Sequence, residues 1–176
     1  MRHLQAARGT PLNRRLPALL AFGVALLGLG ADQASKEAVL DGVTPGRPVE
    51  VVGTLLRLNL TFNPGAAFSL GTSMTLALSI FAIIALLVCV FIALRKVRTF
   101  TQGLAVGLLM AGISGNLHDR LFRAPGPLLG HVVDFIQLPH FAIFNVADIC
   151  ITSAAVLVVL LSLCSPSDVE KRSGRK

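Results

Sequence analysis

Residues 132–150 read VVDFIQLPHFAIFNVADIC, and the rest of the chain can be organised around them. The run is mostly apolar but contains two acids, Asp134 and Asp148, and Asp148 opens an apolar segment, 149–163, that is typical of a membrane span. A carboxylate at the edge of hydrocarbon is costly, so its presence indicates a functional site. Two neighbouring carboxylates do not readily both ionise, and a shared proton is what acid–base attack by water requires.

The composition is that of an integral membrane protein. Of the 176 residues, 53% are hydrophobic and only 14% are charged, and the mean hydropathy is +0.73, a balance that soluble domains of this size lack. The net charge of +7 does not indicate nucleic-acid binding, because the basic residues cluster where apolar segments end. The cysteines lie inside apolar runs and are expected to pack as small hydrophobic residues: Cys89, Cys150 and Cys164.

The hydropathy pattern predicts one transmembrane domain, residues 16–164, between a basic tail, 1–15, and a polar tail, 165–176. The predicted spans are about 16–40, 74–94, 102–118 and 146–164, with outer loops 41–73 and 119–145. Residues 16–31 also fit a signal peptide, with a basic region, an apolar core and small residues at its end. The helical pattern continues to residue 40, with Asp32 and Lys36 on one face, which favours a retained first span.

The predicted fold is an all-α membrane protein, a bundle of four transmembrane helices with a small β-containing loop subdomain and a flap-like loop on one side. Residues 49–60 alternate loosely and contain β-branched residues, which predicts short strands, and residues 63–65 form an Asn-Pro-Gly turn signal. In the third span, small residues recur every four positions and would let helix backbones approach closely in lipid. They are Gly103, Gly107, Ala111 and Gly115.

The distribution of Lys and Arg predicts the orientation in the membrane. Eleven of these residues lie in the two tails and in the connection after the second span, and five lie in the outer loops and at the outer ends of the first and third spans. The positive-inside rule then places both termini in the cytoplasm. Four acids fall at the outer membrane–water boundary in this orientation: Asp32, Asp119, Asp134 and Asp148.

Five sequence blocks, in order, resemble the lipoprotein signal peptidase family, also called signal peptidase II. They are Asp32–Lys36, Asn63–Ser69, Gly115–Arg120, Val132–Phe135 and Phe144–Asp148. The resemblance implies a bacterial aspartic endopeptidase of the cytoplasmic membrane that cuts a prolipoprotein signal peptide just before a diacylglyceryl-modified cysteine. It implies no cofactor and no metal, lipid-modified prolipoproteins and membrane lipids as partners, and action as a monomer.

The same resemblance assigns roles to individual residues. The catalytic dyad aligns with Asp134 and Asp148. Positions that line or brace the substrate site align with Asn63, Gly65, Asn116, Arg120, Asn145 and Ala147. Structural or site-bordering positions align with Asp32, Lys36 and Asp119. The interval of fourteen residues between the two dyad positions is shorter than in the enterobacterial type and shortens the flap-like loop, and the pair Ile149-Cys150 departs from the small pair expected there.

Several interpretations remain open from the residues alone. Arg120 would bind substrate backbone or neutralise Asp119, and Asn145 would orient Asp148 or a substrate carbonyl. A Ser69–Lys36 dyad is a rival catalytic pair. The histidines at 118, 131 and 140 lack metal-ligand spacing.

The rival functional classes are a small proton-coupled carrier, with the aspartates as a relay, and a structural membrane protein whose acids only cap helices. A carrier is expected to place its charges near the middle of its spans and to repeat its halves. Here every acid of interest lies at one edge, and the sequence contains no evident repeat. The aspartic peptidase is therefore the favoured prediction.

Overall fold

Four long helices dominate the computed structural model, which describes residues 15–65 and 71–164. Helix α1 is Arg15–Gly42, α3 is Phe100–Phe122 and α4 is Val146–Cys164. Helix α2, Gly71–Val88, continues through a π-helical turn, Cys89–Ala93, and a last α-helical turn, Leu94–Lys96. All four helices are long and apolar enough to cross a membrane. The predicted class, four transmembrane helices with a small sheet, is confirmed.

A three-stranded antiparallel sheet lies at one end of the bundle. Its strands are β1, Val49–Val52, β2, Leu56–Asn63, and β3, Val132–Gln137, in the order β1-β2-β3. The first two form the β-structure expected in the first outer loop. Strand β3 was not predicted, because the sequence interpretation assigned 119–145 to a loop; its near-continuous apolar run is instead buried on both faces.

Helix α3 is the centre of the bundle, and its small residues determine how its neighbours pack. The face formed by the predicted small residues lies against α1, and the two helices run parallel. The predicted close approach of helix backbones along this face is confirmed. The facing pairs are Gly103 with Pro17, Gly107 with Ala21, Ala111 with Gly28, and Gly115 with Asp32. On its other side α3 meets α4 in the antiparallel sense, with Gly112 beside Ile151 and Gly115 beside Ala147.

The outer ends of α3 and α1 carry polar residues that matter for the site, and only the end of α3 departs from the sequence prediction. Helix α3 continues to Phe122, one turn past the predicted end at 118, so Asp119 and Arg120 are buried helix residues rather than loop residues. Helix α1 is unbroken through residues 28–31 and continues to Gly42, so Asp32 and Lys36 both lie on it. The polar residues at the outer end of the bundle are thereby held on rigid elements. The tails 1–14 and 165–176 lie outside the described residues.

Candidate active site

Asp134 lies in the middle of β3, between two amide donors, and is only 3% exposed. The register of β2 and β3 places Thr61 opposite Asp134 and Asn63 two residues further along β2, within diagonal reach. Asn63 Nδ2 donates to Asp134 Oδ2 at 2.8 Å, and Asn145 Nδ2 donates to Asp134 Oδ1 at 2.6 Å. Both carboxylate oxygens therefore accept a hydrogen bond.

A tight return of the chain after β3 brings α4 to Asp134. Phe144 N donates to Ile136 O at 3.1 Å, and Ile136 N donates to Phe144 O at 2.8 Å, so the flap-like loop closes as a short antiparallel pair. The next residue, Asn145, then lies beside Asp134 at the start of α4.

Asp148 is held at the first turn of α4 by a reciprocal pair of hydrogen bonds. Asn145 Oδ1 accepts from Asp148 N at 3.0 Å, and Asp148 Oδ2 accepts from Asn145 N at 3.2 Å. This is the geometry of a capping box, in which side chains satisfy backbone N–H groups that the helix leaves unpaired. The start of a helix also favours a negative charge. Asn145 thus orients Asp148 and contacts Asp134 at the same time.

Asn116 on α3 completes the connection between the two aspartates. Its Nδ2 donates to Asp148 Oδ1 at 2.9 Å. Its Oδ1 accepts from Asn145 Nδ2 at 3.0 Å and from Lys36 Nζ at 3.3 Å. Because two donors point at the oxygen, the amide must present its nitrogen to Asp148. The two carboxylates are joined through the amides of Asn145 and Asn116.

Both aspartates open into one cavity of about 340 Å³. The other residues that line it are Asn63, Gly65, Leu78, Asn116, Arg120, Val132 and Ala142. Burial raises the pKa of Asp134 to about 6; repulsion from Asp148 acts in the same direction, and the hydrogen bonds from Asn63 and Asn145, with the charge of Lys36, oppose it. Asp134 therefore keeps its proton to a higher pH than an ordinary aspartate does.

Arg120 presents a buried and incompletely paired guanidinium to this cavity. The residue is 8% exposed, and its Nη1 has no hydrogen-bond partner within the described part of the chain. Asp119 is neutralised by other groups, since Lys36 Nζ lies 2.7 Å from its Oδ2 and Arg123 Nε lies 2.7 Å from its Oδ1. Arg120 is attracted by the charges of Asp134 and Asp119 but makes no ion pair with Asp119, and its unpaired Nη1 lies in the wall of the cavity.

Gly65 is the residue that allows the guanidinium of Arg120 to approach the turn after β2. Its φ is +92°, a region that favours glycine. A Cβ at this position would lie 2.5 Å from Leu78 Cδ1 and 3.5 Å from Arg120 Nη2. A side chain here would therefore intrude on the cavity.

Asn145 and Ala147 were predicted among the residues that line or brace the site, and the structure places both behind the cavity. Both are 0% exposed, and neither is among the lining residues. Ala147 N donates to Asp32 Oδ1 at 2.8 Å. These two residues brace the aspartates from behind.

Three buried charged side chains form a cluster next to the two aspartates. Lys36 Nζ lies 2.8 Å from Asp32 Oδ2 and 2.7 Å from Asp119 Oδ2, and all three side chains are 0% exposed. Asp119 Oδ2 accepts from Val133 N at 3.1 Å, just as Asp32 Oδ1 accepts from Ala147 N. Each acid thus holds the backbone N–H of the residue that immediately precedes one of the paired aspartates.

Two hydroxyl groups on α2 hold the outer loops and were missed from the sequence. Thr75 Oγ1 donates to Pro64 O. Ser79 Oγ donates to Leu128 O at 2.7 Å and to Thr75 O at 2.9 Å. Both residues are buried, at 1% and 0% exposure. Their only sequence signal is a pair of hydroxyls four positions apart in an apolar span.

The geometry of the described residues supports neither the rival Ser69–Lys36 dyad nor a metal site. Ser69 lies outside the described residues, and Lys36 is surrounded by two carboxylates and the Asn116 amide. Within residues 15–65 and 71–164, no three His, Cys, Asp or Glu side chains are grouped so as to hold a metal ion.

Four membrane-crossing helices with two carboxylates facing one cavity at the end of the bundle define a polytopic membrane protein. The family model described as signal peptidase (SPase) II matches residues 24–164. The chain therefore belongs to the signal peptidase II family of membrane peptidases.

Individual relatives agree with this assignment. The lipoprotein signal peptidase of Rhodococcus jostii is 43% identical over 145 residues, covering 82% of this chain and 73% of the relative. That of Streptomyces coelicolor is 43% identical over 152 residues, covering 85% and 72%. A solved structure described as a bacterial membrane enzyme superposes with a TM-score of 0.70 at 28% identity, covering 89% of this chain and 91% of that one.

Proposed function

We propose that this protein is an aspartic endopeptidase that removes the signal peptide from diacylglyceryl-modified prolipoproteins, cutting before the lipidated cysteine. The observation that carries the proposal is the pair Asp134 and Asp148, which share one cavity and are linked through two amides. The relatives are called lipoprotein signal peptidases, which supports the same class of substrate.

The proposed chemistry uses the two carboxylates as one unit with one proton. The ionised carboxylate takes a proton from a water molecule, and the protonated one polarises the scissile carbonyl. Attack by the water gives a tetrahedral intermediate, whose nitrogen then receives a proton from the pair as the C–N bond breaks. The raised pKa of Asp134 supports this scheme, because this carboxyl keeps its proton to a higher pH than an ordinary aspartate does.

Four residues around the cavity are proposed to hold the substrate. Asn63, Gly65, Asn116 and Arg120 line it together with the aspartates. The unpaired N–H groups of Arg120 are suited to donate to backbone carbonyls of an extended peptide. A charged donor buried beside the reacting carbonyl would bind more strongly than the same group in water.

An apolar groove beside the cavity suits a substrate that remains partly in the bilayer. The groove has a volume of about 450 Å³ and shares Leu78, Asn116 and Arg120 with the catalytic cavity. Its other lining residues are apolar: Phe81, Ala82, Ala85, Val88, Cys89, Leu109, Ile113 and Ile151. A lipidated precursor could therefore present its peptide to the aspartates while its apolar parts stay among the helices.

The alternative of a proton-coupled carrier is disfavoured by the placement of the acids. Asp32 and Asp119 are held by Lys36 and by backbone N–H groups in fixed structural contacts, which does not suit members of a proton relay. Asp134 and Asp148 lie at one end of the bundle, whereas carrier sites lie near the bilayer midplane.

The proposed location follows from the charge distribution and the four spans. We place the protein in the bacterial cytoplasmic membrane, with both termini in the cytoplasm and the aspartates at the outer face. It is proposed to act as a monomer, without nucleic acid, on lipidated precursors within the membrane.

The decisive test is a cleavage assay in liposomes with diacylglyceryl-modified prolipoprotein and, as a control substrate, the unlipidated precursor. The variants are Asp134→Asn and Asp148→Asn, with Asp41→Asn as the matched control, because Asp41 is exposed at the end of α1. We expect the wild type and Asp41→Asn to cut only the lipidated form, and both dyad variants to lose at least about a thousandfold in rate. Near-normal cleavage by a folded dyad variant would refute the aspartic mechanism.

A further inference from the structure

Thr75 on α2 makes an unusual hydrogen bond for a hydroxyl in a membrane span. Such hydroxyls commonly donate to the carbonyl one turn back on their own helix. Ser114 does so to Met110 O at 2.6 Å, and Ser162 does so to Val158 O at 2.9 Å. Thr75 instead donates to Pro64 O, in the turn that follows β2. Thr75 is buried, at 1% exposure, and this bond connects it to the turn beside the catalytic cavity.

The carbonyl that Thr75 holds lies between two residues of the catalytic cavity. Pro64 separates Asn63 and Gly65, and Gly65 N donates to Asn63 Oδ1 at 2.8 Å. Because this contact uses the side-chain oxygen of Asn63, its Nδ2 is turned toward Asp134 Oδ2, 2.8 Å away. The pairing of β2 with β3 brings Asn63 within reach of Asp134, and the turn fixes the orientation of the Asn63 amide toward it.

We propose that Thr75 is a positioning residue for the reaction, whose hydroxyl fixes the Asn63–Gly65 turn so that Asn63 donates to Asp134. The inference rests on the proposed function and extends it to a hydroxyl on α2, a helix that otherwise contributes only apolar residues, such as Leu78, to the cavity and the groove. Thr75 touches neither aspartate and is not among the residues that line the catalytic cavity. Its effect must therefore pass through Pro64 and Asn63.

The arrangement predicts a specific change in pH dependence when the hydroxyl is lost. Asp134 is faced by Asn63 from β2, by Asn145 and Asp148 from α4, and by the charges of Lys36 on α1 and Arg120 on α3. The hydrogen bond from Asn63 lowers the pKa of Asp134. If the turn shifts and this bond is lost, the pKa rises, and the pair keeps its proton to higher pH.

The test compares three variants of the full chain in liposomes. Thr75→Val removes the hydroxyl at nearly constant volume, Thr75→Ser retains it, and Thr101→Val makes the matched change at an exposed position on α3. With lipidated prolipoprotein, we expect Thr75→Val to reduce kcat/KM about tenfold and to move the basic limb of its pH profile upward by roughly half a pH unit. Thr75→Ser and Thr101→Val should keep the wild-type profile.

If Thr75→Val lowers kcat/KM but leaves the basic limb of the pH profile at the wild-type pH, Thr75 has only a structural role and the inference is overturned. A pH profile of Thr75→Val identical to that of the wild type would also overturn it.

A second measurement does not depend on catalysis. Infrared titration follows the carboxyl band of Asp134, assigned by its disappearance in Asp134→Asn. We expect this band to titrate at higher pH in Thr75→Val than in wild type or Thr75→Ser, and identical titrations would refute the inference. If the wild type leaves the lipidated precursor intact, the proposed function fails and the infrared result alone decides the role of Thr75.

Discussion

At the scale of single residues, the protonation state of Asp134 results from effects that oppose one another. Burial and the nearby Asp148 favour its protonated form, while two amide donors and Lys36 favour its ionised form. Burial prevails, and the pKa rises to about 6. Each amide donor is in turn oriented by another contact, because Gly65 N fixes Asn63 and Asp148 N fixes Asn145. The site is therefore sensitive to residues that never touch the substrate.

The raised pKa of Asp134 predicts how the reaction rate depends on pH. Burial is the main cause of the rise, and repulsion from Asp148 adds to it. Above that pH Asp134 loses the proton that the proposed reaction uses to polarise the carbonyl. We therefore expect kcat/KM of the free enzyme to fall as pH rises through about 6. Initial rates of cleavage between pH 4.5 and 8.5 test this, and a flat profile across that range would contradict it.

The sequence indicates which residues belong to the candidate site more clearly than it indicates what each of them contacts. Asp134 and Asp148 are recognisable because acids in apolar surroundings are costly and because their blocks occur in family order. The bridging role of Asn116 is not recognisable, since it depends on Lys36 and Asp148, eighty residues before it and thirty-two after it in sequence. Thr75 is missed for the same reason: its partner, Pro64, lies eleven residues away and belongs to a different element.

At the scale of elements, the small residues of α3 determine the distance between helices. Their spacing predicts a close helix interface from sequence alone, and the parallel register with α1 follows once both helices cross the membrane in the same direction. Strand β3 was not predicted, because its six residues lack the alternation expected of a half-buried strand. Only the pairing with β2 on one side and the return at Phe144 on the other explain why this segment is extended.

Gly107 and Gly23 provide a matched pair for testing the α1–α3 interface. A Cβ on Gly107 would lie 2.7 Å from Ala21 O and 2.8 Å from Val24 Cβ, whereas a Cβ on Gly23 would meet nothing within 4 Å. We expect Gly107→Ala to destabilise the protein by about 1–3 kcal/mol, because the helices must separate. Gly23→Ala should be neutral or stabilising by up to about 1 kcal/mol, because alanine restricts the unfolded chain. Thermal unfolding in detergent measures both, and equal effects would contradict the proposed close contact.

At the scale of the whole molecule, the buried charges connect elements that are distant in sequence. Lys36 joins α1 to α3, Asp119 extends the connection to β3, and Asp32 extends it to α4. A buried ion pair contributes little net stability, but removing one partner leaves an unpaired buried charge and is strongly destabilising. The cluster is therefore best understood as fixing the relative positions of the two aspartates. Such a role depends on all four elements, so no single sequence motif reveals it.

The orientation of the molecule in the membrane is the prediction that most directly connects its charge distribution to its function. A lipidated precursor is cut at the outer face only if the sheet and the aspartates lie there. The eleven basic residues of the two tails and of the connection after the second span favour the cytoplasmic side for those segments. Thr44 and Thr101 are both exposed and lie at opposite ends of the bundle, after α1 and at the start of α3.

In a variant without the three native cysteines, we expect Thr44→Cys to react with a membrane-impermeant maleimide in intact cells. Thr101→Cys should react only after the membrane is permeabilised, because the basic residues keep its end of the bundle in the cytoplasm. Cleavage of the lipidated precursor by each variant serves as the control for correct folding. The opposite labelling pattern would place the aspartates on the cytoplasmic side, where a precursor exported through the membrane could not present its lipidated cysteine to them.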